Sequence, residues 1–80
     1  MNYIENLIAN GTNFRVDRKT NSASFRPAGD SSSDLEAFQS VVRDLHNHEG
    51  DGYRVHKAHP SSDHGRGLID LVLVTFEPGD

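Results

Sequence analysis

Cysteine and tryptophan are absent, methionine occurs once and proline only three times in the 80 residues. Without cysteine, neither a disulfide nor a thiolate zinc site can reinforce the core. That core is thin, because a domain of this length buries only about 60% of the surface its unfolded chain exposes. Basic residues are also scarce: 8 against 12 acidic ones, for a formal net charge of −4. A general nucleic-acid binder needs a basic excess or stripe, so nucleic acid is disfavoured as a partner. No apolar run is long enough to span a bilayer. The N-terminal residues do not join a basic segment to an apolar stretch, as a secretory leader would. A soluble, cytoplasmic protein is the expectation. Phosphate-loop, dinucleotide and nucleophile-elbow signatures are missing too.

What the chain does have is one continuous apolar segment, Leu68–Phe76 (Leu-Ile-Asp-Leu-Val-Leu-Val-Thr-Phe), bounded by Gly67 and Pro78. Its length and β-branched content read as a strand. Both parities are apolar, with Leu68, Val72, Val74 and Phe76 on one face and Ile69, Leu71 and Leu73 on the other. Such a strand belongs in the centre of a sheet, covered on both sides.

Around it the pattern supplies two helices and three further strands. Tyr3, Ile4, Leu7 and Ile8 have helical spacing, and Gly11 follows where a left-handed C-cap is expected. Phe14 and Val16, then Ala23 and Phe25, alternate with polar residues. A hairpin with one buried face is expected, Phe14 opposite Phe25 and Val16 opposite Ala23, turning at Arg18–Asn21. Ser33 and Glu36 fit a capping box, and Leu35, Phe38, Val41, Val42 and Leu45 form one stripe, so a helix is expected over Asp34–His48. Tyr53–His59 alternates loosely as a more exposed strand, Tyr53, Val55 and Lys57 on one side. A polar, glycine-rich loop then leads to the apolar segment. The expectation is a single α+β domain over 1–80, αββαββ in order, with a four-stranded antiparallel sheet packed with two helices.

A sheet with helices on one side only would leave half of the central strand bare. Either the helices take opposite faces, or a partner covers the remainder, most simply a second copy in a homodimer. Leu68, Val72, Val74 and Phe76, or else the opposite parity, would be left exposed, and these four are the candidate interaction residues. Arg15, Arg18, Lys19 and Arg26 are half of the basic residues and share the wet face and turn of the first hairpin, which makes them candidates as well.

All five histidines fall between positions 46 and 64. His56, His59 and His64 as general acid and base, with Arg66 for an anionic transition state and Asp70 as a site carboxylate, would suit a small phosphodiesterase of ribonuclease type. Against that reading, His46 and His48 diverge at a helix end, and His56 and His59 are expected on opposite strand faces. The spacing matches no metal motif, and no metal or cofactor is implied. Asp70 interrupts the apolar run and must be solvated, paired or protonated. The leading expectation is a small acidic binding or regulatory module that works through protein–protein contacts, with the histidine-dependent enzyme as the alternative.

Overall fold

The computed structural model describes residues 2–61 and 67–77. Its elements are α1 (Tyr3–Asn10), β1 (Phe14–Arg18), β2 (Ser22–Pro27), α2 (Ser32–Asn47), β3 (Tyr53–Pro60) and β4 (Ile69–Phe76). The strands form one antiparallel sheet in the order β1-β2-β4-β3, an α+β architecture with the apolar strand in the interior as expected.

Asn2 caps α1 by accepting a hydrogen bond from the Glu5 amide at 3.0 Å. Gly11 ends the helix in an extended conformation (φ −70°), and the left-handed residue is Asn13 (φ 71°). Glycine is needed at 11 for space, because a Cβ there would collide with the Phe14 ring and the Leu7 carbonyl. The first hairpin pairs two residues away from the expected register: Phe14 lies opposite Pro27, Val16 opposite Phe25 and Arg18 opposite Ala23. A shift of two preserves which side chains share a face, so the buried parity stands.

The α2 stripe is buried as its spacing requires, through Leu35, Phe38, Val41, Val42 and Leu45. The cap is Ser31 rather than Ser33. Its Oγ accepts from the Asp34 amide at 3.1 Å and donates to the Asp34 carboxylate at 2.8 Å. The helix stops at Asn47 with His48 as C-cap.

Both helices pack on the same side of the sheet. Ile4 of α1 and the α2 stripe join Ala23, Phe25, Tyr53, Val72 and Val74 in one cluster. Tyr53 closes one end of it. Its hydroxyl donates to the Leu45 carbonyl, and its ring lies 6.3 Å from that of Tyr3, which stacks on His48 at 4.0 Å. Burial, reinforced by nearby Tyr3, Glu49, Asp51 and Asp44, pushes the Tyr53 phenol well above its usual range. Tyr3 is raised as well, by burial and by Asp44.

Phenols whose folded-state pKa is raised contribute stability that is complete below the unfolded value of about 10 and is lost as pH climbs through the folded value. Alkaline titration is expected to produce tyrosinate absorbance together with loss of the circular-dichroism signal. A folded chain with both phenols ionised near pH ~10 would contradict this packing. Phe38→Ala is expected to cost about 3–5 kcal/mol in a urea melt. That is a large share of the roughly 4–12 kcal/mol typical of a domain this long.

Candidate functional site

With two helices on one side, the opposite face of the sheet is open among the described residues. A row crosses all four strands there: Asp17 opposite Ser24, Ser24 opposite Leu73, and Leu73 opposite Lys57. Arg15 lies opposite Arg26, and Leu71 opposite His59, in the next positions. Leu71 and Leu73 are half-buried, have no helix above them, and are absent from the core cluster. Val72 and Val74 are 0% exposed beneath the helices. The parity proposed from sequence is thereby reversed: Val72 and Val74 belong to the core, and the spare leucines are Leu71 and Leu73. Phe76 is also taken up within the molecule, with the Arg18 guanidinium 4.8 Å over its ring. Leu68 is half-buried, its carbonyl accepting from the Ser61 amide at 2.6 Å.

Bulges decide which β3 and β4 residues reach this face. The register shifts between Val55 and Lys57, so Lys57 moves to the open side and Ala58 packs on the core, opposite to simple alternation. It shifts again between His59 and Pro60. His59 pairs with Leu71 and Pro60 with Ile69, which leaves Asp70 without a partner across the ladder. A bulge at the end of a strand lets a carboxylate interrupt an apolar run without being buried.

Gln39 of α2 holds this corner. Its Nε2 donates to the Ile69 carbonyl at 2.6 Å, and its Oε1 accepts from the Ile69 amide at 3.0 Å. The residue facing Ile69 is Pro60, which has no amide hydrogen to offer, so a side chain completes the pairing.

Arg15 and Arg26 line two adjoining depressions. The shallower, about 190 Å³, lies between β1 and β2 and includes Asp17 and Ser24. The larger, about 420 Å³, has Arg15 and Arg26 on its walls together with Asp30, Asp70, Ser61 and Leu35. Arg15 is oriented by its Nε, which donates to the Pro27 carbonyl at 2.9 Å. Among the described residues neither arginine forms an ion pair, nor does Lys57. Asp17 is occupied by Lys19 at 3.6 Å and Arg54 by Glu77 at 3.1 Å.

The remaining sequence candidates scatter. Arg18 turns to the helix side and grips Glu5 through two hydrogen bonds, one of 2.9 Å, which holds the Glu5 carboxyl below its usual range. His46 places Nδ1 2.9 Å from the Val42 carbonyl, His48 stacks on Tyr3, and His56 is exposed in the first bulge. His64 and Arg66 lie outside the described residues. Among the described residues no histidine lines either depression, and no three His, Cys, Asp or Glu side chains could hold a metal. No helix among them is long and apolar enough to cross a membrane.

Comparison with protein-family models, characterised proteins and solved structures returns no match.

Leu71 and Leu73 were legible as an apolar parity, but not as the uncovered one. The opposed arginines were missed because the expected register set Arg15 against Ser24. Gln39→Leu is expected to strand both backbone groups of Ile69 at a cost of about 1–3 kcal/mol. Hydrogen exchange should accelerate first at Ile69–Leu71, and uniform acceleration across the sheet would contradict the local role.

Proposed function

We propose that this chain is a non-enzymatic binding module that receives an acidic protein segment on the open face of its sheet. The observation that carries the reading is the placement of both helices on one side of the sheet, leaving Leu71 and Leu73 at the centre of the other. A pair of half-buried leucines offers the apolar contact of an interface core, and Arg15, Arg26 and Lys57 around them offer its charged rim. These cations lack ion-pair partners among the described residues, so an acidic partner gains charge pairing at close range as well as apolar contact.

Two other occupants fit less well. A second copy meeting this face across a two-fold axis would bring a duplicate set of Arg15, Arg26 and Lys57 into one interface. Single-stranded nucleic acid uses aromatic platforms on an open sheet. Here the aromatic residues Phe25 and Tyr53 are buried in the core, and Phe14 and Phe76 pack against it. The histidine-dependent hydrolase is supported by no convergence of histidines among the described residues.

Leu71→Thr combined with Leu73→Thr is expected to change stability by no more than about 1 kcal/mol, since threonine suits a strand and these side chains lie outside the core. The same pair should weaken binding of a capped glutamate–leucine peptide, followed by amide shifts in nuclear magnetic resonance, at least tenfold. Unfolding of the variant, or undiminished peptide binding, would contradict the assignment. Light scattering at low ionic strength should report a monomer. A dimer dispersed by the two threonines would instead make a second copy the occupant.

A further inference from the structure

Arg15 and Arg26 face each other directly across β1 and β2. Like charges at opposed positions of an antiparallel pair destabilise it, and no carboxylate among the described residues lies within ion-pair distance of either. Asp17, the acid nearest in the strand, is already engaged by Lys19. The two guanidiniums nevertheless line the same cleft, and the Arg15 Nε bond to Pro27 fixes one of them while leaving its terminal nitrogens free to donate. An arrangement that opposes folding yet orients two cations on one concavity is what an oxyanion receptor requires.

We infer that this cleft is a carboxylate receptor: Arg15 and Arg26 together bind a glutamate or aspartate side chain of the acidic segment docked on the open face, an assignment that rests on the open-face reading. Two acidic residues of the lining bear on the selectivity. Asp30 and Asp70 line the same cleft as Arg15 and Arg26, so among the described residues the lining carries two negative and two positive charges. The extra charge of a phosphate dianion gains little net attraction there over a singly charged carboxylate and costs more to desolvate. The same two aspartates can accept hydrogen bonds from backbone amides of the incoming segment. Asp70 is available for this role because the bulge leaves it unpaired in the ladder, and Ser61, only 6% exposed, also lines the cleft.

The test is an amide-shift titration of the full chain with a capped glutamate–leucine peptide, its glutamine–leucine counterpart, inorganic phosphate and oligothymidylate, at one ionic strength. The glutamate peptide should move the amides of Phe14–Val16, Phe25–Gly29 and Leu71, and the glutamine peptide should bind at least tenfold more weakly. Arg15→Gln and Arg26→Gln should each weaken the glutamate peptide about tenfold, the scale of one charge-assisted hydrogen bond. Phosphate should compete poorly against the native chain and better against Asp70→Asn. Since removing one arginine relieves the cross-strand repulsion, Arg26→Gln should also raise the melting temperature at low salt, a gain that fades at high salt.

Equal binding of the two peptides, unchanged affinity in both arginine variants, or phosphate competing as well as carboxylate would overturn the receptor. If the arginine variants bind normally while the Leu71/Leu73 double variant does not, the receptor fails and the open face survives. If neither set matters, or if oligothymidylate alone binds, both fail.

Discussion

The constraint on which the rest of this structure depends is that β4 is apolar on both faces while the described residues bring only two helices to the sheet. Both helices go to the side of Val72 and Val74, where Phe25, Phe38 and Leu45 close a fully buried layer. Splitting them would leave each side with one short apolar stripe and neither side sealed from water. Concentrating them yields one competent core at the cost of a bare face. The features of that face (the leucine pair, the unneutralised cations and the cleft at its corner) follow from that division.

Charge is partitioned in the same way. The chain is acidic overall, yet Arg15, Arg26, Arg54 and Lys57 share the open side of the sheet with Asp17, whereas Asp34, Glu36, Asp44, Glu49 and Asp51 lie on α2 and the turn after it with Arg43. Net charge is therefore an incomplete guide to what this molecule attracts, because basic residues are concentrated on the sheet side and acidic ones on the helix side. Arg18, the arginine of the first hairpin that turns to the helix side, is bound to Glu5 and Phe76 and helps to fasten α1.

Much of the fold could be read from the sequence where one physical rule acts alone. The α2 stripe was, because five apolar residues at helical spacing allow one buried face. The central position of β4 was, because only an interior strand is apolar on both parities. Three consecutive serines concealed which of them caps α2, since each can accept from an amide three residues on. The hairpin register slipped by two because parity restricts register only to even shifts. The two bulges were not legible at all. They place Lys57 on the open side and free Asp70 from the ladder, and nothing in the local composition of Val55–Lys57 or Ile69–Leu71 marks them. The candidate site lies where these unreadable features coincide, so its residues emerged singly from the sequence and its geometry did not.

The central claim is that one side of the sheet is bare in the free molecule. The most direct measurement is the relaxation that a water-soluble paramagnetic agent induces in the methyl groups of β4 in the monomeric chain. The account predicts strong relaxation at Leu71 and Leu73, near none at Val72 and Val74, and protection of the leucines once an acidic partner is bound. Equal protection of all four residues in the free monomer would mean that the open face is covered from within, and the account would be wrong.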